Sequence, residues 1–391
     1  MFLHSDFDDT HRELFHTVQA WAKKTLAPGA AERDRDASFD EALYRRLDTE
    51  LGLMNITLPE SLGGSELDVA ATILAIEALS EQDPGIAMSY LSQELLFAHQ
   101  LYWSWHFSGR NMPERHKTIL KNKWISGMAM TEPNAGTDVL GMSTTASRTE
   151  DGFVLNGVKQ WITNAPVGKA FLVYARTGEA RRDISLFMVE AGIPGFSCSE
   201  CEHKMGMRSS PTGILTFQDC RIPETSLVAE FNGGLVPMIR NLAIERLGLA
   251  AQSCGIASTC FEEMRRYAIE RHAFGKSIVE FGQIQRLLSE SYASLLAMHT
   301  MLYTTIRQVM DNDPESSVNA DAVKLFCATA AETISRNAIQ ILGANGYSTA
   351  YPVERLHRDS VLLSIGGGTN EALQKNISRQ LIRRKEGLAW T

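Results

Sequence analysis

Apolar residues recur at helical spacing in the first third of the chain. In DDTHRELFHTVQAWAKKTLAP they fall three and four positions apart, at Leu14, Val18 and Trp21. This spacing predicts an amphipathic helix that stops at Pro28. The segments LDVAATILAIEALSEQDP and GIAMSYLSQELLFAHQLYWSWHF are apolar on almost every side, which predicts buried helices. Together they predict a helical domain over residues 1–123.

The pattern changes after Lys123. Short runs rich in β-branched and aromatic residues follow, separated by glycine, proline and asparagine: GFVLNGVKQWIT, AFLVYART, ISLFMVEA and GILTFQDCRIP. Runs of this length and composition predict strands, and residues 124–233 are expected to form a small antiparallel β-barrel or sandwich.

The helical period returns at residue 234 and continues to residue 391. LVPMIRNLAIERLGLAAQSCGIASTCFEEMRRYAIERH is long enough for a helix that spans a domain, and further long helices are predicted at about 281–311 and 315–343. Together with a shorter terminal pair, they predict a C-terminal four-helix bundle. The order of helices, strands and helices predicts an α+β fold and excludes a doubly wound nucleotide-binding fold.

Composition narrows the functional classes. The net charge is −8 and no basic block is present, which argues against nucleic-acid binding. The N-terminus lacks a signal-like region and no apolar window is long enough to span a membrane, so we expect a cytoplasmic protein without a membrane span. Cys198 and Cys201, with His203 nearby, are the one cysteine pair, and no placed fourth ligand supports a metal site.

Six motifs occur in order along the chain: MAMTEPNAGTDV, NGVKQWITNA, KMGMRSSPT, RHAFGKSI, QILGANGY and GGGTNEAL. Together they resemble the acyl-CoA dehydrogenases, a family of flavoproteins with this helical–strand–helical order. The resemblance implies an FAD cofactor, an acyl thioester substrate, a homotetramer and electron-transferring flavoprotein as a possible electron acceptor.

The resemblance also implies which residues contact the cofactor. In the loop TEPNAGTD, small residues let backbone N–H groups approach a phosphate or a ring edge. Trp161 would lie beside the flavin ring and Thr163 would hydrogen-bond its N5 side, while Arg271 suits a diphosphate of a neighbouring subunit. The full implied set is Met130, Thr131, Gly136, Thr137, Trp161, Thr163, Arg271, Phe274, Gln340, Gly343, Thr369 and Glu371. Arg246 and Thr137 are implied substrate contacts.

The segment GGGTNEAL raises a specific question about the catalytic base. Its glycines precede a helix N-terminus, which favours an anion. By resemblance, however, Gly367 stands where many family members carry the glutamate that removes the α-proton of the thioester. Glycine has no side chain that can accept a proton, although its backbone N–H can still polarise the thioester carbonyl.

Glu245 is the predicted replacement. A subset of the family, including the isovaleryl-CoA dehydrogenases, carries the base in an ERL segment, and this chain has NLAIERLGLAA. Glu245 also interrupts an apolar stripe at helical spacing, with Leu242 and Leu249 on either side. A carboxylate on such a face is either part of a buried ion pair or, as we predict, a base whose pKa burial raises.

Other functions remain open at the level of sequence. Relatives that act on carrier-protein thioesters share this scaffold, and Ala243 replaces an aspartate common in CoA-using members. Ser92, Gln93 and Glu94 would suit a polar acyl group if they lined the pocket, but we expect them on the outer face of their helix. An oxidase, a flavin monooxygenase without use for Glu245, and a flavin-binding scaffold without chemistry are further alternatives.

Overall fold

The computed structural model describes residues 7–228 and 230–383. The chain divides into two compact units that each combine distant segments. Unit 1 comprises Met1–Ala31, Glu77–Pro84 and Arg246–Thr391, and unit 2 comprises Glu32–Ile76 and Gly85–Glu245. The three-domain division at residues 123 and 233 stays a prediction.

Helices dominate the residues before the first strand, as the apolar spacing predicts. They are α1 (Asp9–Thr25), α2 (Ala27–Asp36), α3 (Glu41–Thr49), α4 (Val69–Ser80), α5 (Pro84–Gln93), α6 (Gln100–Ser108) and α7 (Glu114–Lys121). The first helix ends before Pro28, which lies in the first turn of α2. Proline is tolerated there because the first N–H groups of a helix have no intrahelical partner.

A π-helical segment, Glu94–His99, joins α5 to α6 without a break. All six of its residues are buried, and so are Ser92 and Gln93 before it. The expected outer face for Ser92, Gln93 and Glu94 is therefore wrong. A π turn accommodates an extra residue and so rotates the side chains that follow relative to a regular helix.

Eight strands form one sheet within unit 2. They are β1 (Ser126–Ala129), β2 (Thr145–Arg148), β3 (Gly152–Thr163), β4 (Ala170–Arg176), β5 (Ile184–Glu190), β6 (Phe196–Cys198), β7 (Thr212–Pro223) and β8 (Leu227–Val228). Their order is β6-β7-β3-β2-β4-β5-β8, with β1 paired to β4. The strands predicted from the sequence are confirmed, but this order is open, so the sheet is not a closed barrel. The β1–β4 and β2–β4 pairs are parallel, in an otherwise antiparallel sheet.

Long helices follow the sheet and build most of unit 1. They are α8 (Leu235–Glu270), α9 (Gly282–Met310), α10 (Ser316–Leu342), α11 (Val353–Leu363) and α12 (Asn370–Arg383), with a small hairpin of β9 (His272–Ala273) and β10 (Lys276–Ser277) after α8. Helices α9 and α10 lie close to the predicted ranges. In their shared core, Cys327 of α10 lies 3.9 Å from the Met298 carbonyl of α9. No helix of the described residues is long and apolar enough to cross a membrane.

Candidate active site

The loop after β1 is tied to β3 by backbone bonds. Glu132 and Ala135 exchange two backbone hydrogen bonds of 3.2 and 3.1 Å, which closes a tight turn. The N–H of Gln160 donates to the carbonyl of Thr131 at 2.9 Å. The structure therefore brings together the predicted contacts Thr131 and Trp161, whose segments lie about thirty positions apart in the sequence.

A buried ion pair underlies this loop. Lys159 donates to Glu132 at 2.9 Å and to the Met130 carbonyl at 3.0 Å, and both charged side chains are almost fully buried. Glu132 also accepts from the backbone N–H groups of Ser143 (2.6 Å) and Thr144 (2.9 Å). Burial opposes ionisation of Glu132, but Lys159 and these donors outweigh it and hold its pKa at about 2.

The sequence analysis assigned no role to Lys159 or Glu132, although the alternating pattern of β3 places Lys159 on its buried side. Phe153, Leu155 and Lys159 all lie on the buried side of the strand. A lysine on the inward side of a period-two pattern requires a buried acid or carbonyl as a partner. The pattern could therefore have predicted a pair, but it could not have identified Glu132 as the partner.

Trp161 lies at an irregularity in β3. The register against β7 shifts between Lys159 and Ile162, and Trp161 has a φ of +62°. Its side chain is 54% exposed. A large aromatic residue in the left-handed region is strained, and such positions concentrate at functional sites. The irregularity presents a flat apolar face, as the predicted contact with a flavin ring requires.

Asn164 fixes the end of β3 beside Thr163. Its side-chain amide donates to the carbonyls of Ser89 (3.1 Å) and Ser126 (2.9 Å), and its backbone φ is +67°. The side chain is fully buried. Sequence analysis did not single out Asn164, and its role depends on contacts with distant residues that a sequence pattern does not show.

Glu245 lies in the first third of α8 and is half-buried. Met238, Leu249 and Ile256, which share its helical face, are almost completely buried, so the predicted apolar stripe is present. Asn241, one turn before Glu245, is also buried and donates to the side-chain carbonyl of Gln100 at 3.4 Å.

Arg246 starts the portion of α8 that belongs to unit 1. Its guanidinium pairs with the carboxylate of Asp321 on α10, and its Nε donates to the Gly367 carbonyl at 3.3 Å. Burial raises the pKa of Asp321, against the opposing effect of Arg246. The structure thus links Arg246 to Gly367, two positions that the sequence assigned separately.

The glycine turn before α12 has a backbone that few other residues adopt. Gly367 has a φ of +62° and Gly368 a φ of +96°. The buried Lys324 donates to the Gly368 carbonyl at 2.7 Å. In the described part of the chain, no acceptor meets the N–H groups of Gly367, Gly368 or Thr369. The turn therefore presents donors at the N-terminus of α12, while cationic side chains hold its carbonyls.

The other predicted cofactor contacts in unit 1 are on the surface. Arg271 begins the short β9–β10 hairpin, and Phe274 at its tip is 95% exposed with a φ of +54°. Gln340 and Gly343 end α10. The next turn approaches the base of the hairpin, because Asn345 donates to the Tyr267 hydroxyl at 2.9 Å. Glu371 is exposed in the first turn of α12.

No metal-binding cluster is present in the described residues: nowhere do three or more His, Cys, Asp or Glu side chains come together in a suitable arrangement. Cys198 and Cys201 are free, exposed thiols.

Three family models match the chain in the order that its elements follow. They are the N-terminal, middle and C-terminal domains of acyl-CoA dehydrogenase, at residues 8–104, 127–220 and 232–382. The chain belongs to the acyl-CoA dehydrogenase family, whose members are flavin-dependent oxidoreductases.

Individual relatives support this assignment over the whole chain. The mitochondrial isovaleryl-CoA dehydrogenase of Oryza sativa subsp. japonica is 34% identical over 97% of this chain and 93% of its own length. Butyryl-CoA dehydrogenase of Megasphaera elsdenii superposes with a TM-score of 0.91 at 30% identity, covering 97% of this chain and 100% of that one. The prolyl acyl carrier protein oxidase AnaB is also similar, with a TM-score of 0.88 at 25% identity, covering 96% and 99%.

Proposed function

We propose that this protein dehydrogenates a short or branched acyl-CoA to the trans-2-enoyl thioester, with Glu245 as the base. The observation that carries the proposal is the glycine turn. Gly367 has a left-handed backbone, and its carbonyl is held by Arg246. The position that supplies a glutamate in many relatives has no side chain here, whereas the residue before Arg246 is a half-buried carboxylate.

FAD fits the residues that the sequence predicted for it. Trp161 presents an exposed apolar face on a strained backbone, and the glycine turn presents N–H groups without acceptors among the described residues. We propose that the cofactor contacts Met130, Thr131, Gly136, Thr137, Trp161, Thr163, Arg271, Phe274, Gln340, Gly343, Thr369 and Glu371. When bound, FAD supplies the acceptor for the hydrogen that leaves the β-carbon as hydride.

The chain itself supplies proton transfer and polarisation. Glu245 accepts the proton from the α-carbon, and the Gly367 N–H donates to the thioester carbonyl, which makes that proton more acidic. Thr137 and Arg246 are proposed substrate contacts. Two nitrogens of Arg246 already bind Asp321 and Gly367, so a substrate would meet the remaining face of the guanidinium.

A thioester on a carrier protein is the second candidate. The similarity to the prolyl acyl carrier protein oxidase favours it, as does Ala243 in place of an aspartate. Helix α5 does not support a carrier-protein substrate. The side chain of Gln93 is already used inside unit 2, where it accepts from the Tyr44 hydroxyl (3.1 Å) and donates to Met54 (3.1 Å). The homotetramer, the electron-transferring flavoprotein partner and the cytoplasmic location stay predictions.

The test is a visible absorption spectrum of the FAD-loaded protein before and after anaerobic addition of isovaleryl-CoA. Bleaching of the flavin by isovaleryl-CoA or another CoA ester supports the proposal. A flavin that stays oxidised with a panel of CoA esters but bleaches with the same acyl groups on a carrier protein supports the second candidate. A protein that does not bind FAD would contradict both.

A further inference from the structure

The glycine turn before α12 is held from one face of α10. Asp321 and Lys324 lie three residues apart on that helix and so on the same side of it. Lys324 donates directly to the Gly368 carbonyl at 2.7 Å. Asp321 acts through a bridge, because it accepts from the guanidinium of Arg246, whose Nε donates to the Gly367 carbonyl at 3.3 Å. Two successive carbonyls of the turn are therefore each held by a cation.

The bridge of Asp321 and Arg246 is buried inside unit 1. Asp321 is 1% exposed and Arg246 is 9% exposed. The N–H groups of a guanidinium point in fixed directions, so the carboxylate that binds one nitrogen also determines where Nε points. Nη2 of Arg246 lies 3.9 Å from the position that a Cβ of Gly368 would take. The guanidinium therefore lies along the backbone of the turn, and Asp321 sets its orientation there.

The peptide between Gly366 and Gly367 has few constraints of its own. It carries the N–H that the proposed function directs at the thioester carbonyl, and both residues that flank it lack a Cβ, so its rotation meets little steric resistance. On one side, the N–H of Gly366 donates to the Leu362 carbonyl at 2.8 Å. On the other side, the bond from Arg246 to the Gly367 carbonyl fixes the plane of the next peptide. The direction of the Gly367 N–H therefore depends on both bonds.

We propose that Asp321 is a positioning residue for the dehydrogenation: it fixes Arg246 against the Gly367 carbonyl and so keeps the Gly367 N–H directed at the thioester carbonyl. Without Asp321, the guanidinium keeps its charge but is free to rotate away from the turn. This inference rests on the proposed function, in which that N–H polarises the thioester. It adds a role for a residue that no motif of the sequence singled out.

The first experiment measures flavin reduction by the thioester in FAD-loaded Asp321→Asn. Asparagine has nearly the same shape as aspartate but no charge, so it keeps the packing and gives Arg246 a weaker partner. Removal of an oxyanion-hole donor costs about 10²–10³-fold in kcat, and a donor that is loosened but not removed is expected to cost about tenfold. A single turnover at saturating thioester measures this step without any effect of weaker substrate binding. A wild-type rate in Asp321→Asn would overturn the proposal.

A double-mutant cycle tests whether Asp321 acts through Arg246. Arg246→Met removes the bridge by itself and lowers the rate of flavin reduction. In that background, Asp321→Asn is expected to change the rate less than about twofold, because the contact that it weakens is already absent. Losses that multiply in the double variant, as they do for independent sites, would overturn the proposal.

Glu77→Gln is the matched control for a merely structural effect. Glu77 is an equally buried carboxylate of unit 1 that accepts from the Tyr303 hydroxyl at 2.9 Å and lies 3.1 Å from Nε2 of His299. Neither partner belongs to the glycine turn. The variant is expected to be less stable than the wild type, but its flavin is expected to be reduced within about twofold of the wild-type rate. Equal rate losses in Glu77→Gln and Asp321→Asn would show that Asp321 acts only through stability.

Hydrogen–deuterium exchange tests the hold on the turn without any substrate. The N–H of Gly366 donates to Leu362 at 2.8 Å and the N–H of Asn370 donates to Ser364 at 3.1 Å, so these two amides close the ends of the turn. Both are expected to exchange about tenfold faster in Asp321→Asn than in the wild type. Exchange at the wild-type rate would overturn the proposal.

The failure of this proposal is distinct from the failure of the proposed function. If Glu245→Gln is inactive and Asp321→Asn has wild-type exchange and flavin reduction, Glu245 stands as the base and the role of Asp321 is wrong. If Glu245→Gln keeps the wild-type rate, the base assignment is wrong, but a tenfold loss in Asp321→Asn still supports its role at the Gly367 N–H. If no thioester reduces the flavin of the wild type, the proposed function fails and the role of Asp321 falls with it.

Discussion

A buried lysine holds each of the two irregular segments that carry proposed flavin contacts, but the two lysines do so in different ways. In unit 2, Lys159 pairs with Glu132, which in turn binds backbone N–H groups of the same loop region. In unit 1, Lys324 donates directly to the Gly368 carbonyl, and the nearby carboxylate, Asp321, pairs with Arg246.

The two arrangements predict different consequences when the lysine is lost. The loop of unit 2 depends on a charge pair that is almost fully buried, so loss of either partner leaves an uncompensated charge. The turn of unit 1 depends on single bonds to backbone carbonyls, which cost less to lose. We therefore expect damage at Lys159 to appear mainly in folding stability and damage at Lys324 mainly in cofactor binding.

Lys159→Met is expected to have the largest effect on stability. It leaves Glu132 buried without its cation, and breaking such a pair costs about 3–5 kcal/mol of unfolding free energy. Urea denaturation followed by circular dichroism measures this. The double variant Lys159→Met/Glu132→Gln removes both charges and is expected to recover much of the loss. A single variant as stable as the wild type would refute the importance of the pair.

The same pair predicts how acid affects the protein. The pKa of Glu132 is lowered from 4.5 to about 2 in the folded state. Its contribution is therefore fully present above the unfolded pKa and is lost as the pH falls through about 2. A comparison of acid unfolding in the wild type and the double variant measures the contribution, and identical acid transitions would argue against it.

Glu94→Gln tests a buried carboxyl that, unlike Glu132, forms no ion pair with a lysine or arginine in the described part of the chain. Neither oxygen of Glu94 makes a hydrogen bond of normal geometry among the described residues, and burial raises its pKa to about 8 despite the nearby N–H groups of Asn55 and Ile56. The folded state therefore holds this proton more tightly than the unfolded state. Wild-type stability is expected to fall from about pH 4.5 to about 8, by up to about 1.4 kcal/mol per unit.

The glutamine variant keeps a neutral side chain at every pH, so this part of the slope should disappear. Denaturant midpoints at several pH values measure the difference between the two proteins. Parallel stability curves for the wild type and Glu94→Gln would show that Glu94 is not protonated in the folded state.

Lys324→Met is expected to have the smallest effect on folding. Loss of its bond to Gly368 costs about 1.5–3 kcal/mol of stability, the range for a hydrogen bond from a charged group. It also loosens the turn that offers N–H groups to the cofactor. FAD affinity is expected to fall about tenfold, which corresponds to about 1.4 kcal/mol, in a flavin fluorescence titration. A large loss of stability with unchanged FAD affinity would reverse the comparison between the two lysines.

Periodicity predicted the regular parts of the molecule well. The two long helices, predicted at 281–311 and 315–343, are α9 and α10, and the run GFVLNGVKQWIT is β3. These elements are long and bury one face, so the same apolar spacing repeats over many positions. The open order of the sheet and its parallel pairs were not predictable, because strand partners are set by packing across distant parts of the chain.

The sequence predicts those parts of the candidate site that follow from the chemistry of a single residue. A glycine at 367 cannot be a base, and a carboxylate at 245 stands out in an apolar stripe. The supports of the site, such as Asn164 and the partner of Lys159, depend on contacts between distant segments. The expected outer face for Glu94 was wrong because this stretch of helix has no outer face: every residue from 83 to 101 is buried.

The central claim is that Glu245 removes the α-proton, and anaerobic flavin reduction tests it most directly. FAD-loaded Glu245→Gln is mixed with the thioester that bleaches the wild type, beside Glu262→Gln, an exposed glutamate of the same helix that pairs with Arg265. The account predicts that Glu262→Gln is reduced at the wild-type rate and that Glu245→Gln binds the thioester but stays oxidised. Reduction of Glu245→Gln at the wild-type rate would contradict it.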